Sequence, residues 1–241
     1  MAISMQIAPV SMSKPQIELG NLLNGYRFRV CETEADARRS LAIRRRVYVE
    51  EKGVEVEVPD AYDRHSWLLI AEDAETGEGV ATMRVTTRAA GPLECEHSFV
   101  LPSSLRTPDV VEISRFAILQ GHRQGKGRSP GVSIGMFKAV IHFAQRVVGA
   151  KRVVVCSKAE RVQTYTWLCF RPTGVRAPYT ALDGAMHEIL VMDLRHGFEP
   201  YGDHEMFQFF VVADSPQISL PSVPPPLGLG TTVGSPLQAS A

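Results

Sequence analysis

One apolar stretch of the sequence contains both a carboxylate and a guanidinium, Glu112-Ile113-Ser114-Arg115-Phe116. Side chains alternate along a strand, so Arg115 points away from Glu112 unless a β-bulge re-aims it, and bulges are common beside active sites. Charges inside an apolar strand are costly unless they are paired or used. A carboxylate placed in this way suits general acid–base catalysis, and the alternative is a structural ion pair.

Three further charged groups precede this stretch. Arg44 and Tyr48 are four residues apart and share one face of a predicted helix. Asp60 and Asp63 place two carboxylates in a loop, and Arg84 interrupts an apolar strand. Each group taken alone is more typical of a solvated charge cluster than of a site.

Hydrophobic periodicity indicates the elements that must position these residues. Residue spacing predicts an α/β fold with a mixed, twisted sheet and flanking helices. Thr33 is suited to cap one helix, which Gly53 ends, and Gly149 ends another. The predicted strands are Tyr26–Cys31, Ser66–Asp73, Gly79–Thr87, Val110–Leu119, Arg152–Cys156 and His187–Leu194, and the predicted helices are Glu34–Lys52, Ser133–Val148 and Arg161–Phe170.

Charge balance, cysteine spacing and hydrophobicity bear on the partners and the cellular compartment of the protein. Lys plus Arg equals Asp plus Glu at 26 each in a chain of 241 residues, so overall charge does not indicate a nucleic-acid partner. The four cysteines have no close pair, which is poor spacing for a zinc site or a redox pair, and free thiols fit the cytoplasm. We see neither a signal peptide nor a run long enough to span a bilayer, and we expect no integral membrane association. We expect no metal, because the histidines are scattered without ligand spacing.

The ends of the chain differ in composition from the middle. Residues 1–24 carry few charges and are expected to be a poorly ordered or helical arm, followed by one domain over residues 25–213. Residues 214–241 are rich in proline, which removes backbone donors and disfavours both helix and central strand. We expect this tail to be disordered, with a proline-rich docking segment as the alternative.

The ordered set of charged and aromatic residues resembles the acyl-homoserine-lactone (autoinducer) synthases and the related N-acyl amino acid synthases. The resembling positions are Arg44, Tyr48, Asp60, Asp63, Arg84, Glu112 and Arg115. Both families have the acetyltransferase (GNAT)-like fold and take acyl chains from acyl carrier protein. Val54 stands where the lactone synthases have tryptophan, and Tyr48 where they have phenylalanine, which favours the N-acyl amino acid branch.

The resemblance implies an N-acyltransferase with no permanently bound cofactor. Glu112 would be the general base, Arg44, Tyr48, Arg84, Arg115 and Phe116 would bind substrate, and Asp60 and Asp63 would support them in a charge network. The donor would be an acyl-carrier-protein thioester, with acyl-CoA as the alternative, and the acceptor a small amine. Arg123, Lys126, Arg128 and Lys138 would form a basic rim suited to an acidic carrier.

Two further segments resemble acetyltransferases in general. Arg123, Gly125, Lys126 and Gly127 resemble a pantetheine and pyrophosphate loop, because glycines let backbone N–H groups approach phosphates. A plain surface turn is the alternative. Tyr165 occupies the place of an acid that protonates the leaving thiolate, although a core tyrosine is the commoner case.

Three other functions fit the same sequence. An acyl-homoserine-lactone synthase would use S-adenosylmethionine as acceptor. A glycine loop closer to the acetyltransferase pattern would favour a coenzyme-A-dependent N-acetyltransferase. A catalytically silent GNAT-like binding module would dock partners through the proline-rich tail.

Overall fold

The computed structural model describes residues 14–123, 130–195 and 204–231 of the chain. Within these ranges eight strands form one mixed sheet in the order β6-β7-β5-β4-β3-β2-β1-β8. The strands are β1 (Tyr26–Val30), β2 (Ser66–Asp73), β3 (Gly79–Thr87), β4 (Val110–Ile118), β5 (Arg152–Lys158), β6 (Arg171–Pro178), β7 (Met186–Asp193) and β8 (Ile218–Ser219). The predicted mixed α/β sheet is therefore confirmed.

Helices cover the sheet on both sides. They are α1 (Lys14–Asn21), α2 (Glu34–Arg45), α3 (Gly131–His142), α4 (Val162–Trp167) and α5 (Glu205–Phe207), and π-helical turns extend α2 over Arg46–Glu51, α3 over Phe143–Val147 and α5 over Gln208–Val212. The Thr33 hydroxyl caps α2 by accepting from the Asp36 N–H at 3.2 Å. Gly149 follows the α3 extension with φ 76°, a conformation that suits glycine.

The central hairpin shows why the sheet is apolar throughout. Leu69 and Ala71 on β2 pack in the core cluster that contains α3, whereas Leu68 and Ile70 pack in the cluster that contains α2. Alternate residues of one strand thus meet a helix on each face. A strand buried on both sides reads as a continuous apolar run, as this one does.

Strand β6 was not predicted from the sequence. Pro172, Gly174 and Pro178 break the usual strand signal. β6 is an edge strand that pairs antiparallel with β7 alone, with a register shift between Pro172 and Arg176. An edge position tolerates the missing N–H groups of proline.

The expectation of a disordered tail was wrong for residues 214–231. Ile218 pairs with Phe28 of β1 in parallel, and the Trp67 indole N–H donates to the Pro225 carbonyl at 2.8 Å. Leu229 packs on the α2 cluster. Proline lacks a donor but keeps its carbonyl, so a proline-rich segment can still be held by donors of the domain.

At the other end of the chain, α1 agrees with a helical arm, and residues 1–13 and 232–241 lie outside the described ranges. The domain boundaries at residues 25 and 213 stay a prediction. Within the described ranges, every helix is too short or too polar to cross a membrane.

Candidate active site

A β-bulge in β4 determines which side chains meet. Ser114 pairs with Arg84 and Ala117 pairs with Thr82, so Arg115 and Phe116 together lie opposite Met83. Arg115 has φ 55°, which is strained for a side chain other than glycine. The bulge brings Arg115 to the same cavity as Glu112. The bulge anticipated from the sequence is therefore present.

The cavity lies where two neighbouring strands separate. β4 and β5 pair in parallel only between Val110–Glu112 and Arg152–Val154, although both strands continue beyond these residues. The space beside the separated ends measures about 470 Å³. Its lining includes polar groups from both strands and aromatic rings from the helices. A cleft of this kind admits an extended ligand between the strands.

Glu112 lies at the inner wall of this cavity with 0% of its surface exposed. Its Oε2 accepts from the Cys95 N–H at 3.2 Å, whereas Oε1 has no hydrogen-bond partner among the described residues. Burial, together with the nearby charge of Glu94, raises the pKa of Glu112 to about 8. A carboxyl group with this pKa is mostly protonated at neutral pH. Its ionised form, which can accept a proton from an α-amine with a pKa of about 8, gains population as pH rises.

Beneath the cavity wall, three arginines and three carboxylates form a buried charge network. Arg84 pairs with Asp60, Asp63 and Glu94, and its Nε donates to the Ser114 hydroxyl at 3.2 Å. Arg44 donates to both carboxylate oxygens of Asp63. Arg115 pairs with Glu94 and lies 3.2 Å from Asp60. Hydrogen bonding to Arg44 and the charge of Arg84 lower the pKa of Asp63 despite its burial.

The network corrects the role expected for Arg44 and Arg84. Both are buried, with 1% and 0% of their surface exposed, and neither lines the cavity. Their guanidinium donors are directed at carboxylates of the protein. The structure therefore places Arg44 and Arg84 with Asp60 and Asp63, as supports, and not at the surface that a substrate would touch.

Glu94 is a member of this network that sequence reasoning missed. It lies in a short 3₁₀ turn, Glu94–His97, and its two carboxylate oxygens accept from Arg84 and Arg115. The side chain also lines the cavity beside Glu112. Its neighbours Leu93 and Cys95 are fully buried, and that apolar flanking was the one signal in the sequence.

Aromatic rings form the apolar wall of the cavity. The Tyr48 hydroxyl donates to the Phe116 carbonyl at 3.0 Å, which ties the α2 extension to the bulge. Phe116 meets Phe137 edge to face at 5.3 Å, and Phe137 meets Tyr165 at 5.6 Å. Burial raises the pKa of Tyr165, so its hydroxyl keeps its proton. Tyr48, Phe116 and Tyr165 thus line the same cavity.

Besides Arg115, three cations line the cavity: Lys52, Lys158 and Arg161. Lys158 pairs with Asp183 at 2.5 Å, and the Lys52 Nζ lies 5.0 Å from the centre of the Tyr48 ring. Within the described ranges, neither Lys52 nor Arg161 forms an ion pair with a carboxylate. These two residues are positive charges that a bound anion would meet.

The basic rim expected from the sequence is different in the structure. Lys138 is buried on α3 and donates to the Phe209 carbonyl at 2.5 Å, so it does not belong to any rim. Arg123 pairs with Glu51, and its Nε donates to the Ile118 carbonyl at 2.7 Å. Gly125, Lys126, Gly127 and Arg128 lie outside the described residues.

Two cysteines that are far apart in the sequence are close in the fold. The sulfurs of Cys95 and Cys156 and a carboxylate oxygen of Glu112 all lie within 4.8 Å of one another. The neighbouring Cys156 thiol and burial raise the pKa of Cys95, and burial raises the pKa of Cys156. The sequence spacing, which argued against any cysteine pair, did not predict this proximity.

Comparison with known proteins identifies related families. Residues 39–193 match the profile of the family described as N-acyl amino acid synthase FeeM. No curated protein sequence matches the chain at a significant level.

Several solved structures share the fold. The structure of FeeM, an N-acyl amino acid synthase from uncultured soil microbes, is 14% identical with a TM-score of 0.55, over 70% of this chain and 89% of that one. BjaI, a CoA-dependent acyl-homoserine lactone synthase, is 17% identical with a TM-score of 0.59, over 86% and 98% of the two chains. A putative N-acetyltransferase from Lactobacillus plantarum is 19% identical with a TM-score of 0.50, over 71% and 100%. These likenesses show the acetyltransferase-like fold.

Proposed function

This chain belongs to the family of the N-acyl amino acid synthase FeeM, and from that premise we propose that it transfers a fatty acyl group from a carrier thioester to the amine of an amino acid. It is an acyltransferase by family. The donor, the acceptor and the roles of individual residues are the proposal. The observation that carries it is the position of Glu112, a buried carboxylate with one unpartnered oxygen, on the lining of the cavity between the separated strands.

The donor's phosphopantetheine arm would lie between β4 and β5, where the backbones separate. Its thioester would come to rest beside the bulge at Arg115 and Phe116. The acyl chain would pack on the rings of Phe116, Phe137 and Tyr165. Burying apolar surface there would stabilise the complex by about 25 cal/mol per Å². The aromatic wall thus supports a fatty acyl group.

Glu112 is the proposed general base. An α-amine with a pKa of about 8 is mostly protonated at neutral pH and must lose a proton before or during attack. The nitrogen would then attack the thioester carbon, the carbon–sulfur bond would break, and the thiol would leave with a proton. Backbone N–H groups of the bulge, near Phe116 to Ile118, would stabilise the oxyanion. Tyr165 would protonate the thiolate, and the proton that the nitrogen loses as the amide forms would return to Tyr165 through solvent.

The acceptor's carboxylate needs a cationic partner on the cavity. Arg44 and Arg84 are occupied by the buried network, so Lys52 and Arg161 replace them in this role. An acidic acyl carrier protein would meet the same two cations at the cavity lining, which supports a carrier-protein donor. Acyl-CoA remains the alternative donor.

Mass spectrometry of extracts from a bacterial host that expresses the protein tests the proposal. New long-chain N-acyl amino acids, absent when the Glu112→Gln variant is expressed, are the expected result. Detection of acyl-homoserine lactones would indicate lactone synthesis instead. Detection of short acetylated amines alone would indicate N-acetyl transfer instead. A purified, folded protein that forms no product with acyl donors and amino acids would overturn it.

A further inference from the structure

Cys95, Cys156 and Glu112 form a small donor cluster that the proposed reaction does not need as a unit. Their three potential ligand atoms, two sulfurs and one carboxylate oxygen, lie within 4.8 Å of one another. Around a tetrahedral zinc ion, with Zn–S near 2.3 Å and Zn–O near 2.0 Å, such atoms would be about 3.5–3.8 Å apart. The observed spacing is thus within the reach of small side-chain adjustments.

The backbone holds the three residues together. Glu112 of β4 pairs in register with Val154 of β5, and Cys156, two residues further on, faces the same side of the sheet as Val154. The Cys95 N–H donates to the Glu112 carboxylate from the turn above. The cluster therefore draws on three separate segments that the fold fixes relative to one another.

The chemistry of the cluster favours a soft cation. Thiolates select ions such as Zn²⁺, Cd²⁺ and Co²⁺ over Mg²⁺ or Ca²⁺. Glu112 is fully buried, and its Oε1 has no hydrogen-bond partner among the described residues, so the carboxylate has an acceptor to spare. Glu112 and Cys156 also line the open cavity, which gives an ion a route from solvent.

We infer that Cys95, Cys156 and Glu112 bind a thiophilic divalent cation such as Zn²⁺. Three protein ligands leave a fourth position, which opens on the cavity and suits water or a small ligand. Binding displaces the thiol protons. It also takes up the carboxylate that the proposed function uses as a base, so an occupied site blocks acyl transfer; this last step rests on the proposed function.

Cobalt is the probe for the site itself. Co²⁺ bound by thiolates gives a charge-transfer band in the near ultraviolet, which is measured without any substrate. We expect the band in the purified full-length protein, its displacement by Zn²⁺ and its loss with a chelator. In Cys95→Ser and Cys156→Ser the affinity for Co²⁺ should fall by at least about 10–100-fold, since even partners outside the ligand set have effects of that size.

Cys31→Ser is the matched control, because Cys31 is also a buried thiol but packs in the α2 cluster. Circular dichroism checks that each variant is folded. If a variant does not fold, the wild-type titration still tests the inference. Absence of the band in the wild type overturns the inference, as does a band that survives in both folded cysteine variants.

An activity assay separates this inference from the proposed function. Inhibition by Zn²⁺ that a chelator reverses, and that Cys156→Ser weakens relative to its own metal-free rate, supports both. A cobalt band without inhibition supports the metal site and contradicts the role of Glu112 as the base. An active enzyme without a cobalt band overturns the metal site alone.

Discussion

The Arg84 guanidinium donates to the Glu94 carboxylate at the centre of the fold, and neither side chain is exposed. The same guanidinium also pairs with Asp60 and Asp63. One planar cation therefore joins three carboxylates from two segments of the chain, the loop with Asp60 and Asp63 and the turn with Glu94. A point charge on a flexible stem would not reproduce this geometry.

We expect Arg84→Lys to destabilise the protein by up to about 3 kcal/mol, since breaking a buried ion pair leaves carboxylates without a partner. The Michaelis constants for donor and acceptor should change alike, because Arg84 does not line the cavity. Urea unfolding and steady-state kinetics measure both effects. Arg88→Lys, at a half-buried ion pair in the turn after β3, is the control. A stable variant in which only the Michaelis constant for the acceptor rises would indicate that Arg84 binds the acceptor.

Glu112→Gln should lower turnover by about two to four decades, the usual range for a positioned general base. The amide keeps the shape of the side chain but cannot take a proton. Glu188→Gln is the control, because Glu188 is another buried carboxylate of the sheet and does not line the cavity. Near-normal turnover of folded Glu112→Gln protein would refute the assignment.

The donor should be acyl carrier protein, and its initial rate should fall by about tenfold from low to high salt, since steering by charge is screened. Arg161→Glu should slow this donor more than a coenzyme A thioester with the same acyl chain. Arg38→Glu, at an exposed position of α2, is the control. A faster, salt-insensitive reaction with the coenzyme A thioester would count against a carrier-protein donor.

Gly228→Ala should destabilise the protein more than Gly184→Ala. Both glycines have positive φ, 72° and 67°, which costs other residues about 1–2 kcal/mol. A Cβ at Gly228 would also lie 2.8 Å from the Arg64 carbonyl oxygen, whereas one at Gly184 meets open space. We expect a further loss of about 1–3 kcal/mol at Gly228 from this overpacking. Equal losses in urea unfolding would show that the C-terminal segment does not pack on the domain.

Lys138 should make stability depend on pH. Burial, and the nearby charge of Arg146, lower the pKa of Lys138 from 10.5 to about 7, although Asp214 acts in the opposite direction. Between these values the unfolded chain binds a proton that the folded protein does not, so stability rises with pH, by up to about 1.4 kcal/mol per unit. The adjacent His142 does not titrate in this range, since burial lowers its pKa to about 2.

The comparison variant is Lys138→Met, in which this dependence is removed. The free energy of unfolding of the wild type minus that of Lys138→Met should therefore grow as pH rises above about 7. Lys151→Met, at an exposed position, tests for a general effect of losing one lysine. A difference between wild type and Lys138→Met that stays constant with pH would contradict the burial of a neutral lysine.

Local periodicity predicted much of the sheet from the sequence. β2 and β3 lie within the predicted bounds, because a strand buried on both faces and bounded by turn residues leaves few alternatives. β6 and β8 were missed for the opposite reason. Both are edge strands in segments that contain or adjoin proline, and only their neighbours in space make them strands.

The parts of the site that lie on one strand could be predicted from the sequence. The parts that the fold brings together from separate segments could not. Glu112, Arg115 and the bulge between them belong to a single segment. The positions of Glu94 and of the two thiols depend on a turn that folds back over β4. The spacing of these residues in the sequence does not predict that contact. Arg84 was expected to bind substrate, and whether its side chain faces the cavity or the charge network depends on contacts between strands that the sequence does not show.

The parallel pairing of β1 with β8 has a consequence for biosynthesis. Phe28 emerges from the ribosome early, and the residue that covers its strand edge, Ile218, emerges almost two hundred residues later. Until then this edge of β1 lacks its partner strand, and an unpaired strand edge can pair with other chains. The sheet can therefore be closed along this edge only after Ile218 has been synthesised, and a chain released before that point would be prone to associate through the edge.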